Sequence, residues 1–363
     1  MPHKRQGGRK LKSKKKRRRN RRRRKLLLFL VIICIAIVLA ISYLALQLNS
    51  SRHETGEHSD NSSVSVSEPN QPDSSETSDI SGTSPEPTQV TPEPLRPAVT
   101  ISPESIISVY GYMERVSDGS VVLDKSAHDR MYPASMTKVM TLLVAIENLP
   151  DLEEKIQVTA DVINPLHEQQ SSMAGFDAGE WVSVRDLLYG IFLPSGGEAA
   201  VTIANRVAGS EAAFAELMNQ KAAELGLTGT HFVNCTGLHD DNHYSTCVDI
   251  AYLFETALQN DLFYQIATTH SYTCEPTDFH PEGLELQSTM FASLSNISSP
   301  TLANGAVILG GKTGTTDEGG NCLVSFADYN GQRYILVTGL GQFNAEGRMY
   351  NIEDAVTAYS ALQ

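Results

Sequence analysis

Ser135 and Lys138 stand three residues apart in PASMTK, directly ahead of the apolar run VMTLLVAIENL. On a helix, side chains at i and i+3 share a face and can meet. A hydroxyl is a poor nucleophile until a base takes its proton, and a lysine amine serves as that base when burial or a second cation lowers its pKa. The pair could therefore carry acyl transfer through an ester on the serine. An isolated Ser-x-x-Lys is equally a helix cap followed by a solvated lysine, so its meaning depends on what accompanies it. Two further clusters do. FLPSGGEAA places Ser195 at a Gly-rich break between two helical patterns, and LGGKTGTTDEGG carries Lys312-Thr313-Gly314 into strand-like text.

In this order the three clusters resemble the motifs Ser-x-x-Lys, Ser-x-Asn and Lys-Thr-Gly of the penicillin-recognising serine acyltransferases. The resemblance covers most of residues 105–363. It is closest to the low-molecular-mass D-alanyl-D-alanine carboxypeptidases, where PASMTK, GLTGTHFVNCTGLHDDNHYST and GGKTGTTDEGG all have counterparts. It implies Ser135 as nucleophile, Lys138 as general base with Lys312 as the neighbouring cation, and Ser195 passing a proton to the departing amine. It further implies Lys312 and Thr313 holding the anionic end of the substrate. The backbone N–H groups of Ser135 and Thr315 would form an oxyanion hole, on a strand kept open to substrate by Gly310, Gly311 and Gly314. Arg348, in AEGRMYNIED, stands where these enzymes carry an arginine for the terminal carboxylate. The substrate implied is the peptidoglycan stem peptide, with β-lactams as inhibitors and no metal or organic cofactor.

The sequence departs from the pattern at Gly197, where the second motif usually has an asparagine that hydrogen-bonds substrate and steadies the lysine. Weakened peptide selectivity follows. Restoring asparagine should raise turnover unless position 197 sits at positive φ. His239, Asp240, Asp241 and His243 cluster in LHDDNH, but the corresponding family loop binds no metal, so no metal site is expected there. Two competing functions remain. A β-lactamase of class A would need a Glu-x-x-x-Asn segment, and none occurs between Ser195 and Lys312. A non-catalytic wall-binding protein would keep the fold without the chemistry.

The elements that must position these residues read as follows. IISVYGYMERV and SVVLD flank Asp118-Gly119, and CLVSFADY and RYILVTGL flank Asn330-Gly331, both hairpin signals. Between them lie an apolar helix opened by Ser135 and helical patterns over 183–193 (capped by Ser183), 198–207 and 210–225. NIEDAVTAYSAL closes the chain as a helix. The order predicts an α+β fold with an antiparallel sheet assembled from both chain ends, and the resemblance implies that it is of the β-lactamase/DD-peptidase-like kind, the sheet flanked by helices, with an all-helical subdomain.

Ahead of this expected catalytic domain (104–363) the composition changes twice. Residues 1–25 hold sixteen Lys or Arg and no acid, against 13 basic and 42 acidic residues in the rest of the chain. The uncharged stretch 26–46 has the roughly 20 residues that cross a bilayer as a helix. It reads as an uncleaved signal anchor, with the basic tail held in the cytoplasm instead of binding nucleic acid. Residues 47–103, rich in Ser, Thr, Pro and acids, form a disordered spacer. The domain would thus face outward. Outside the cell, Cys235, Cys247, Cys274 and Cys322 could form two disulfides, such as Cys235 with Cys247 and Cys274 with Cys322, or remain buried free thiols.

Overall fold

The computed structural model describes residues 99–342 and 350–363, which belong to one compact unit, Val90–Gln363. The expected span at 26–46 and basic tail at 1–25 lie outside the described residues. Among those described, no helix is long and apolar enough to cross a membrane.

Strands β1 (Tyr110–Arg115) and β2 (Ser120–Lys125) form the first hairpin. A 3₁₀ turn over Ala134–Thr137 then leads into α1 (Lys138–Asn148). Every residue from Lys138 to Ala145 is buried, so this helix runs through the core and not across its surface. The short strand β3 (Lys155–Gln157) is followed by α2 (Ala160–Glu168), β4 (Trp181–Ser183) and α3 (Val184–Phe192). α4 (Gly197–Ala208) and α5 (Glu211–Glu224) complete the helical layer. As expected, Ser183 caps α3 by accepting from Asp186 N at 3.1 Å; Ser210 likewise caps α5, accepting from Ala213 N at 3.1 Å.

Four of the described helices were not expected from the sequence: α2, α6 (Cys247–Ala257), α7 (Asp261–Ala267) and α8 (Thr289–Ser295). Between the last two, the hairpin of β5 (Ser271–Thr273) and β6 (Glu285–Gln287) is tied down by the buried carboxylate of Glu180. That carboxylate accepts from Thr277 Oγ1 at 2.6 Å. β7 (Val307–Thr316), β8 (Gly320–Tyr329) and β9 (Gln332–Gly341) precede α9 (Tyr350–Ser360).

The main sheet is antiparallel, in the order β2-β1-β9-β8-β7. It is assembled from both ends of the domain because β1 pairs with β9, Met113 opposite Leu336. Asn330 and Gly331 at φ 49° and 73° make the tight turn between β8 and β9. One core cluster lies between the sheet and the helices around α1, and a second packs α8 and α9 on the other face. Asp354 on α9 closes that second layer, accepting from Ile107 N and Ser108 N at 2.7 and 2.8 Å. Ile101, on the spacer side of the expected boundary at 103/104, is buried and donates to Val122 O at 2.7 Å.

All four described cysteines are free and buried. No Cys235–Cys247 or Cys274–Cys322 bridge forms, and of the two readings the buried thiols hold. Cys247 opens a core-facing helix instead of closing a loop, with Sγ 3.7 Å from Met131 Sδ.

Candidate active site

The 3₁₀ turn and the first residue of α1 bring Lys138 Nζ to 3.2 Å from Ser135 Oγ. Lys138 is 1% exposed and donates to Thr236 O at 2.6 Å. Burial is the main reason its pKa drops to about 8; Cys235, Glu198 and Glu211 pull the other way. An amine that is partly neutral near physiological pH, next to a hydroxyl, can accept its proton.

Lys312, also 1% exposed, donates to Thr313 O at 2.8 Å. Its pKa is driven well down, first by burial and then by the charge of Lys138. The expectation that a second cation activates Lys138 is thus corrected in emphasis. Desolvation acts first on both lysines, and the mutual repulsion is visible on the Lys312 side.

β7 lies directly against the turn that carries Ser135. A Cβ at Gly314 would stand 2.8 Å from Ser135 N, so only glycine lets the two backbones approach this closely. Thr315 is the next residue on β7 after this approach. Thr315 Oγ1 donates to Asn321 Oδ1 at 3.0 Å, and Thr313 Oγ1 lies 2.7 Å from Thr289 Oγ1. Gly310 and Gly311 answer to a different constraint from the one expected. Side chains there would strike the carbonyls of Ala267 and Val324, so they make room for the protein's own backbone.

Ser195 is 4% exposed and its Oγ has no hydrogen-bond partner among the described residues. It therefore does not join Ser135 and Lys138 through a direct hydrogen bond. Its φ of 68°, and the 47° of Ala134 just before Ser135, put non-glycine residues of both motifs in the left-handed region. Such conformations cost on the order of 1–3 kcal/mol and persist where the surroundings over-determine them. Arg348 lies outside the described residues.

The surroundings of Ala134 are supplied by the 231–244 segment. Val233 N–H donates to His243 Nδ1 at 3.2 Å, so Nε2 carries the proton and donates to Thr137 Oγ1 at 2.7 Å. Thr137 in turn donates to Ala134 O at 2.8 Å. His243 is 2% exposed with both nitrogens engaged and cannot join a metal cluster with its neighbours in LHDDNH. His239 faces elsewhere, its ring edge-on to Tyr132 at 4.6 Å.

A family model described as D-alanyl-D-alanine carboxypeptidase matches residues 100–344. The chain belongs to the D-alanyl-D-alanine carboxypeptidase family. Similar curated members include DacF of Bacillus subtilis, 34% identical over 60% of this chain, and a carboxypeptidase of a Streptomyces species, 30% identical over 69%. The chain spans 54% of the length of the first and 87% of the second. The crystal structure of the Streptomyces K15 DD-transpeptidase superposes with a TM-score of 0.62 at 26% identity, covering 72% of this chain and 98% of that one. A Mycobacterium tuberculosis D-alanyl-D-alanine carboxypeptidase gives the same TM-score at 26% identity, covering 73% and 94%. The α+β class and the DD-peptidase architecture expected from the sequence are those of this carboxypeptidase family.

Within the carboxypeptidase fold, several positioning groups escaped sequence reading. Thr236 acts through its carbonyl, which any residue could supply, and the bracing role of His243 shows only in its surroundings, which turn it inward. Glu198 is fully buried, and its Oε1 accepts from Ala174 N, Gly175 N and Phe176 N at 2.7, 2.8 and 3.3 Å. The nearest signal for it was an acidic residue following the Ser195-Gly-Gly break. Gly197 does not lie in the left-handed region, yet a Cβ there would fall on Ser171 Oγ. The condition on φ that the sequence set for asparagine is met, and a side chain there further requires the Ser171 hydroxyl to turn aside.

Proposed function

We propose that this chain is a serine-type D-Ala-D-Ala carboxypeptidase that removes the terminal D-alanine of peptidoglycan stem peptides and is acylated by β-lactams. The observation that carries the reading is the 3.2 Å approach of Ser135 Oγ to a buried Lys138 whose pKa is about 8. Neutral Lys138 takes the hydroxyl proton as Ser135 attacks the carbonyl between the two D-alanines. The N–H groups of Ser135 and Thr315 stabilise the developing oxyanion. Lys138 or Ser195 returns a proton to the leaving D-alanine amine, water hydrolyses the ester, and Ser135 regains its proton. Lys312 and Thr313 hold the substrate carboxylate, with Arg348 assisting. The uncharged 26–46 stretch anchors the chain, the basic tail stays in the cytoplasm, and the domain acts at the cell wall.

Labelling of purified protein with fluorescent penicillin, beside release of D-alanine from a D-Ala-D-Ala peptide, tests the chemistry. Both signals are expected in the parent and neither in Ser135→Ala. An intact protein that gives neither signal is a wall-binding relative, whereas rapid turnover of the penicillin without D-alanine release would identify a β-lactamase. Protease protection of the domain in intact cells would contradict the outward placement.

A further inference from the structure

Gly197 opens α4 two residues after Ser195, following an N-cap Gly196 at φ −60°. Backbone conformation does not require glycine at 197, but space does. A Cβ there would fall on Ser171 Oγ, with Ser172 O at 3.3 Å and Ser171 Cβ at 3.4 Å. The occupant comes from a different part of the chain, the loop that follows α2.

That loop is held at several points. Ser171 N–H donates to Leu166 O at 2.9 Å, and Gly197 N–H donates to Ser172 O at 2.7 Å. Glu198, the next residue of α4, receives three successive N–H groups of the same loop on one buried carboxylate oxygen. Phe176 then packs over Gly190, where a Cβ would stand 2.7 Å from its ring. The backbone of Ser171 is therefore held against the start of α4, while its hydroxyl, restrained only by a long bond to Ser172 O, can still turn about χ1. Its hydroxyl donates only weakly within the protein, to Ser172 O at 3.3 Å, and the residue is partly exposed. A serine with unused hydrogen-bonding capacity, fixed beside the second motif, is available to a substrate.

We propose that Ser171 is a specificity-determining residue of the Ser135 site: its hydroxyl takes the place of the side chain that Gly197 lacks and hydrogen-bonds the peptide substrate. The proposal rests on the peptidase reading and deepens it. In its present rotamer the Ser171 hydroxyl competes with a Cβ at position 197 for one volume, which makes their effects non-additive.

The test is a cycle of parent, Ser171→Ala, Gly197→Asn and the double variant, each measured for D-alanine release, fluorescent-penicillin acylation and Tm. Ser171→Ala should lower kcat/KM for the peptide by about 3- to 10-fold, the loss of one net hydrogen bond. Penicillin acylation and Tm should change much less, and that split separates a substrate contact from a packing role. Gly197→Asn alone should lower both acylation and Tm, because the new Cβ and the Ser171 hydroxyl compete. Adding Ser171→Ala should recover acylation by several-fold and raise Tm. An active parent whose peptide turnover ignores Ser171→Ala, or a Gly197→Asn loss of equal size in both backgrounds, overturns the proposal alone. A parent that neither labels nor releases D-alanine removes the peptidase reading and the substrate role of Ser171 with it.

Discussion

His243 Nε2 lies 2.7 Å from Thr137 Oγ1, and through that hydroxyl it grips the carbonyl of Ala134, one residue before Ser135. The ring is buried and neutral, its pKa pushed down to about 4 chiefly by burial. Protonation would require Nδ1 to lose the bond from Val233 N–H, since an imidazolium donates from both nitrogens. A histidine to which the sequence assigned no role thus works as a brace behind Ser135.

Stability should therefore fall in mild acid. An unfolded histidine titrates near 6.5, so between pH 6.5 and about 4 the unfolded chain binds the extra proton and unfolding is favoured as pH drops. The full effect is about 3 kcal/mol, and none of it is felt above pH 6.5. Tm measured from pH 7.5 to 4 should decline more steeply for the parent than for His243→Gln. Parallel curves would show that other groups govern acid unfolding.

Lys138→Ala should reduce penicillin acylation by about 10²- to 10⁴-fold, the usual worth of a positioned general base. The side chain is fully buried, so Thr236 O loses its donor as well. Folding should survive, because the variant also removes an amine whose charged form is disfavoured by burial. In the parent, acylation should rise with pH through an apparent pKa near 8. Coupling to Lys312 makes this a property of the pair, not of either residue. Unchanged acylation in Lys138→Ala, with circular dichroism intact, would remove its assigned role.

The thiols offer a simple check on the core. With Cys235, Cys247, Cys274 and Cys322 all free and buried, a maleimide should label the folded domain slowly and the denatured domain at four positions. Reductant should leave Tm unchanged. A mass lower by about two or four protons under non-reducing denaturation would reveal disulfides.

A fragment beginning at residue 99 should be soluble and as active in acylation as the full chain. One beginning at residue 106 loses Ile101, whose buried side chain contributes about 1.5–3 kcal/mol, and the Ile101–Val122 bond. It should melt several degrees lower. Equal Tm values would mean that the segment ahead of β1 packs without stabilising.

What the sequence determined by itself was local. The turns at Asp118-Gly119 and Asn330-Gly331, the Ser183 and Ser210 caps, the apolar α1 and the three motifs each depend on residues a few positions apart, and neighbours in sequence are enough to specify them. Spacing of three placed Ser135 and Lys138 together before any fold was known. Tertiary structure alone decided the rest, because those contacts join segments tens to hundreds of residues apart. Thr236 reaches Lys138 across 98 positions, His243 reaches Thr137 across 106, and Asp354 reaches Ile107 across 247. Burial, which lowers the pKa of Lys138, turns His243 inward and keeps the cysteines apart from disulfide chemistry, is likewise a property of the packed chain. So is the space beside Gly197. Its emptiness in the sequence reads as a missing group, and only the returning loop shows Ser171 standing in it.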